Sequence, residues 1–589
     1  MIVGLIPFVV ILVAATPWWL VLNRRIGGSL ALAAVMAAAG LLVIGVLALC
    51  PLVAAPAGPA LLVVFTALLI LGLVVSRRQH GVAPARATVV VGLAAGTGAG
   101  VWVGGLMLAH LVPGSDVISW TMNGDAANNL MQARLHLAAG GLELGTAVSI
   151  AVPFTSLLLS VALWPGRPAE GESAQLAHDL IATSAFWSVE VIVASILIGV
   201  VASSMVPRYR ALAAGAFSLL GLTWLVIGLP LESGYLNTLI GVSLLLLSWI
   251  AYRGSGSSVP VSLTTQCAVI LLTMATWTPL AIVPSALLLL TAARHRASLR
   301  VAPIATLAAP LATATATVVW VGLVVVPSFL GNSLALSIAG NGFPATFVLL
   351  GVALAACIGF SSLLSDSIVR SGALAIAIAM VLGMAVMLFF AGRESDPLSA
   401  YYPAKLSWLF ALFAIVIGVS LVLGVIARSA RRVLAPAIVG LAALGIVLAS
   451  LGPAPARAVP DLAPPLVSIL GGSVWSDGDE SASMIIEHVG QQVVLYRTDR
   501  ADEAFINHWL LTIGSTTVDQ TWTTRKWAVW GFRELRDTSS YNPPPIEELC
   551  ALVDALGPDA VVITADPSVR MSLAAECIGQ QPLVRMDEN

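Results

Sequence analysis

Three places in this chain have the residue types and surroundings to do chemistry. The stretch from Trp120 to Gly141, WTMNGDAANNLMQARLHLAAGG, sets Asp125, Arg134 and His136 between segments that are almost wholly apolar. Asp125 follows Gly124 at the head of a run in which Leu130, Ala133 and Leu137 recur at helical spacing, so a helix with Asp125 near its N-terminus is expected. The helix dipole there favours the charged carboxylate, a group that can accept a proton; the plain alternative is a helix cap. Arg134 has the fork geometry for a phosphate or carboxylate contact, against the alternative of a membrane-interface anchor. His136 fits a surface or packing histidine more readily than a catalytic one.

A second place is GRESDPLSAYYPAKLSW (392–408), where Lys405, one of two lysines in the chain, stands beside Tyr401, Tyr402 and Trp408 at the start of an apolar window. Aromatic rings alone would mark the usual interface belt. An ammonium at a helix N-terminus with tyrosine hydroxyls nearby suits a lipid phosphate, and a snorkelling anchor is the alternative. The third is Glu190 in FWSVEVIVAS, the one acid well inside an apolar window; intramembrane acids are costly and usually functional or paired. Asp116 and Arg393 are secondary candidates in the same two loops. Walker A, HExxH, GxSxG and CxxC patterns are all missing, which speaks against nucleotide hydrolysis. The five cysteines have no metal-ligand spacing; no cofactor is indicated, and a divalent metal is left open. Cys50, Cys267 and Cys357 fall in apolar runs as small hydrophobes, whereas Cys550 and Cys577 could form a disulfide if their domain is extracytoplasmic.

The elements that must position these residues are membrane spans. The chain is 589 residues long, 58% hydrophobic and 10% charged, with a mean hydropathy of +0.96, values foreign to a soluble domain of this size. Of its 58 charged residues, 28 lie in the last 136, 19 of them acidic. That split predicts a membrane domain over 1–453, a Pro/Ala-rich linker at 454–465 and an acidic soluble domain over 466–589. No basic run points to nucleic acid. Apolar windows near 2–22, 27–49, 58–76, 87–112, 181–205, 211–230, 235–252, 302–329, 343–364, 371–391, 406–427 and 433–452, with a tight hairpin at 261–276 and 278–293 around TWTP, predict about fourteen spans. The N-terminal window lacks a basic n-region and a small-residue cleavage site, and reads as a retained span.

Arg and Lys set the orientation. With the N-terminus outside, 15 of the 19 basic residues of the membrane domain fall in cytoplasmic loops, leaving Arg134, Arg167, Arg393 and Lys405 outside. The apolar run at 147–163 would reverse every later loop if it crossed, so 113–180 reads as one long outer loop whose apolar part lies at the interface. The C-terminal domain then also emerges outside. In it, QQVVLYRT and DAVVITAD read as strands and PPIEELCALVDAL as a helix, a small α/β arrangement. Its tryptophans, Trp475, Trp509, Trp522, Trp527 and Trp530, fit a buried core more readily than a sugar-binding surface.

With these residues in view, the outer loop GDAANNLMQARLHLAAGG, followed by the proline-containing run VPFTSLLLSVAL and a span, resembles the first large outer loop of GT-C superfamily glycosyltransferases. AYYPAKLSW resembles a segment before a late span in actinobacterial members, including the arabinofuranosyltransferase-like ones. The resemblance implies a multi-pass plasma-membrane enzyme of cell-wall biogenesis, in keeping with the N-terminus and C-terminal domain that the charge bias puts outside. It would move a sugar such as arabinofuranose from a polyprenyl-phosphate donor to an envelope glycan or lipid acceptor. It implies Asp125 as general base, and Lys405 with Tyr401 and Tyr402 as holders of the donor phosphate; the reading of Arg134 as a phosphate contact adds it to that set. The chain departs from that plan in placing the acidic loop after its fourth span and in having one acid where many relatives have an adjacent pair. Two other functions stay open: a transporter or flippase of lipid-linked envelope precursors, which predicts internal repeats and buried mid-membrane charges, and a non-catalytic envelope scaffold.

Overall fold

A computed structural model of the chain describes residues 2–78, 86–109, 111, 119–122, 125–143, 153–206, 208–228, 234–301, 303–327, 344–392, 401–429, 478–500, 502–514, 545–577 and 582–586. The membrane part is a bundle of apolar helices: α1 (Ile2–Ile26), α2 (Gly28–Leu49), α3 (Ala57–Arg78), α4 (Arg86–Ala95), α5 (Thr97–Ala109), α6 (Ala126–Ala138), α7 (Pro153–Leu163), α8 (Glu172–Met205), α9 (Arg210–Ser218), α10 (Leu236–Arg253), α11 (Val259–Trp277), α12 (Ile282–Arg294), α13 (Ile304–Trp320), α14 (Pro344–Ser362), α15 (Ser367–Ala391) and α16 (Tyr401–Ser429). Arginine closes the last turn of α1, α3, α10, α12 and α16, where it complements the negative end of the helix dipole. Asp366 caps α15 from the opposite direction, accepting from the amides of Ile368 at 2.9 Å and Val369 at 3.3 Å. The bundle therefore has an arginine-rich end and an arginine-poor end.

Among the described residues, nine helical stretches are long and apolar enough to cross a membrane, or ten if the bent pair α4 and α5 forms one span. One of the nine, Val259–Arg294, is not a single rod. Gln266 Nε2 donates to Thr291 Oγ1 at 2.9 Å, whereas 25 residues of straight helix would separate them by roughly 37 Å. The chain doubles back after Trp277, whose extended backbone (φ −169°, ψ 106°) ends α11, and Pro279 begins the next turn. This is the hairpin expected around TWTP. The expectation of about fourteen spans is met only in part. Arg210–Leu222 and Thr346–Ser362 are shorter apolar helices, and the window 433–452 lies outside the described residues. A belt of outward-facing apolar side chains, among them Leu311, Val318 and Leu323 at 66–73% exposure, is what lipid accepts and water does not. The chain is a helical, multi-pass membrane protein.

Helix α8 has 34 residues and so runs about 51 Å, well beyond the ~30 Å hydrocarbon core. Its Met205 end lies by Arg208 and Arg210, so its first third projects past the core at the arginine-poor end. Helix α7 has 11 residues, too few to cross, and its buried face packs on α6 and α8. Beyond the bundle come α17 (Gly478–His488), β1 (Val493–Leu495), α18 (Glu503–Gly514), α19 (Ile546–Leu556), β2 (Val561–Thr564), α20 (Pro567–Glu576) and β3 (Leu583–Met586). The strands form a parallel sheet in the order β1-β2-β3, with Val493 paired to Val561 and Val561 to Leu583. Parallel neighbours need a crossover, and α20 supplies it between β2 and β3. A disulfide joins Cys550 on α19 to Cys577 just after α20, with the two Cα atoms 5.2 Å apart. The linker 454–465 and Trp475, Trp522, Trp527 and Trp530 lie outside the described residues.

Candidate functional site

Lys405 lies in the first turns of α16 and is 8% exposed. Its Nζ sits 3.9 Å from the centroid of the Tyr235 ring and 5.7 Å from that of Trp277. Tyr402, three residues earlier on α16, brings its ring within 5.8 Å of Trp277 at 43°. These side chains come from the start of α10, the end of α11 and the start of α16, all at the arginine-poor end. Ring faces attract a cation through their quadrupole, more strongly where water is excluded. The lysine is thus held in an aromatic cage that leaves its hydration shell little room. Tyr401 begins α16; its side chain lies outside the described residues, as do Asp116 and Arg393.

Asp125 stands at the N-cap of α6, but its side chain makes no capping hydrogen bond. Its main-chain carbonyl instead accepts from the amide of Asn129 and from Asn129 Nδ2, the latter at 2.9 Å. The half-buried Asp125 carboxylate is close enough for its charge to act on the Lys405 ammonium. Two residues singled out 280 positions apart in the sequence therefore share one electrostatic neighbourhood. A carboxylate not engaged as a cap, set near a cation lying against ring faces, can take up a proton while the cation meets an anion.

The other charged residues of the 120–141 stretch are engaged in holding α6. Arg134 donates from Nε to Asp179 Oδ2 at 2.7 Å and from Nη1 to Glu172 Oε2 at 3.1 Å. Arg167 donates to both oxygens of Asp179, at 2.9 and 3.1 Å, and His178 Nδ1 lies 3.5 Å from Oδ1. Asp179 is fully buried and gathers the two guanidinium groups as a tie between α6 and α8. Arg134, expected at a phosphate, meets carboxylates of its own chain. His136 is buried, and its Nδ1 accepts the amide of Glu143 at 3.0 Å. The proton is thereby placed on Nε2, which donates to Ser156 Oγ at 3.1 Å, and that hydroxyl donates to the Pro153 carbonyl at 3.2 Å. Burial pushes the imidazole pKa down to about 4, so His136 is neutral near pH 7 and acts in packing.

Glu190 is 5% exposed on α8, and neither carboxyl oxygen has a hydrogen-bond partner among the described residues. It lies 18 residues, five helical turns, below Glu172 and 11 below Asp179, so all three share one face of α8. An apolar crevice lined by Ile11, Leu61, Phe65, His136, Leu137 and Trp164 opens between α1, α3, α6 and α7; Asp125 and Lys405 are not part of its lining. No cluster of three or more His, Cys, Asp or Glu suited to a metal occurs among the described residues. Comparison with family models, characterised proteins and solved structures gives no match. Sequence reasoning missed Tyr235 and the part played by Trp277. The available signal was aromatic residues at the arginine-poor ends of adjacent windows, which the common interface belt obscures.

Proposed function

We propose that this protein is a membrane glycosyltransferase of GT-C-like plan, acting at the extracytoplasmic face of the plasma membrane on a polyprenyl-phosphate sugar. The observation that carries the reading is Lys405 held in a cage of ring faces at the arginine-poor end, with Asp125 near enough for its charge to act on it. The positive-inside bias supports a cytoplasmic arginine-rich end, and in this reading the site, the N-terminus and the C-terminal sheet lie outside. Asp125 takes the proton of the acceptor hydroxyl as its oxygen bonds to the anomeric carbon. The bond from that carbon to the phosphate oxygen breaks, and Lys405 neutralises the charge that collects on the departing lipid phosphate. Tyr235 and Trp277 keep the ammonium poorly hydrated, so it interacts more strongly with an anion. Arg134 acts through Asp179 to orient α6. An envelope glycan or lipid is the acceptor class, and arabinofuranose is the sugar that the resemblance names.

The test is sugar transfer from a polyprenyl-phosphate donor by the purified protein in lipid nanodiscs. Activity in the wild type and its loss in Asp125→Asn are expected; an Asp125→Asn variant with full activity removes the base from the mechanism. Glu190 favours a second reading, translocation of a lipid-linked precursor, because an acid inside a span without a described partner is a common transporter feature. Flipping of a labelled precursor in vesicles, abolished by Glu190→Gln and retained in Asp125→Asn, would replace the transferase with a flippase.

A further inference from the structure

The C-terminal unit does not stand apart from the bundle. One continuous apolar cluster runs from the spans through Met122 and Leu130 to Leu495, Phe505, Ile506 and Trp509. Helix α18 packs on α6, and α17 packs on α8 and on the turn at Ser119–Thr121. At the turn between α17 and β1, Gly490 adopts φ +81°, and a Cβ there would stand 3.0 Å from the Glu172 side chain, the residue that pairs with Arg134. The most specific contact is a single hydrogen bond. Trp509, fully buried on α18, donates from Nε1 to the Met122 carbonyl at 2.8 Å. Met122 is three residues before Asp125.

Helix α18 is built as a strut between two partners. Asn507 donates to the Leu495 carbonyl and accepts the Leu495 amide, both at 2.8 Å, which fastens the helix to β1. Glu503, at the head of α18, accepts from the amides of Arg497 and Thr498, which fixes the loop after the strand. Two residues along a helix turn about 200°, so Asn507 and Trp509 point to opposite sides. One side grips the sheet and the other grips the segment leading to Asp125.

We propose that Trp509 is a positioning residue: through the Met122 carbonyl, the C-terminal sheet sets the Asp125 segment in its place. The catalytic consequence rests on the transferase reading, whereas the clamp itself does not. The test is hydrogen–deuterium exchange and sugar transfer on the full-length chain in nanodiscs, comparing wild type with Trp509→Phe, which keeps a ring and removes the N–H. Loss of one buried hydrogen bond is expected to speed exchange across 126–138 by about five-fold, with amides of β1, β2 and α10 unchanged. In the same variant kcat falls while KM for the donor holds. Unchanged exchange over 126–138 overturns the proposal, as does a uniform rise throughout the C-terminal unit, which would mean that the indole stabilises only its own domain. If wild type transfers no sugar, the transferase reading fails and the exchange data still decide the clamp.

Discussion

At the arginine-rich end, Arg253 sits 2.6 Å from Asp366. There Tyr252 bonds the Ile368 carbonyl at 2.8 Å and the Ser371 hydroxyl at 2.9 Å, and Arg294 reaches Ser367. At the arginine-poor end Lys405 lies against the faces of Tyr235 and Trp277, and Asp125 acts on it through space. The first arrangement joins α10, α12 and α15 by direct ionic and hydrogen bonds. The second sets a cation against ring faces, with an anion acting on it through space. Charge that holds helices together and the charge assigned to a substrate in the proposed transfer differ here in what stands near it.

Exchanging the cation at each end should separate the two arrangements most clearly. Lys405→Met is expected to lower transfer by about 100- to 1000-fold, the scale of losing one electrostatic contact to a transition state, with thermal stability kept or raised because a buried charge disappears. Arg253→Met should do the reverse, and transfer rates beside thermal midpoints would show it. Matching behaviour of the two variants would erase the distinction between the ends. Next, Asp179→Asn leaves Arg134 and Arg167 without their shared buried anion and is expected to cost about 3–5 kcal/mol, read by denaturant or thermal unfolding. That would mark the α6–α8 tie as a structural element within the arginine-poor end.

Acid should also act unequally on the two ends. The folded pKa of His136 is about 4 against 6.5 unfolded, so between those values only the unfolded chain binds the proton. Stability is therefore full above pH 6.5 and falls as pH drops toward 4, by on the order of 3 kcal/mol; His136→Gln should flatten that slope in a pH series of melting curves. The smallest effect is at Asp366. Burial pushes its carboxyl up, but Arg253 and the amides of Val369 and Ile368 outweigh this and hold it below its ordinary value. Its contribution is present above the unfolded pKa near 3.9 and is lost as pH falls through the lower folded value. Since Asp366 is partly exposed, Asp366→Asn should cost under about 1 kcal/mol.

Much of the membrane plan could be read from the sequence because a span requires little more than length and apolar composition. The hairpin at TWTP was legible for the same reason, since proline and a short apolar run on each side leave a turn as the simplest path. Cys550 and Cys577 were legible as a pair from their placement in the charged tail. Lys405 stood out because a cation runs against the charge bias of its side. The partners were not legible. Arg134 finds Asp179 only when α6 folds onto the projecting end of α8, and the Lys405 cage draws Tyr235 and Trp277 from separate windows. The capping question at Asp125 also needed geometry, because a local pattern cannot tell a carboxylate that turns back to its helix from one that turns away.

The bond between Trp509 and Met122 spans 387 residues, and that separation has a consequence in time. A ribosome adding about 5–20 residues per second leaves roughly 20 to 80 s between the two ends of the contact. Throughout that interval the Asp125 segment must wait at the membrane surface without its last support, while the rest of the bundle inserts beside it. In a pulse–chase with limited proteolysis, residues 119–138 should become protected only after the full-length chain appears. Synthesis would then leave the Asp125 segment unclamped until α18 has arrived.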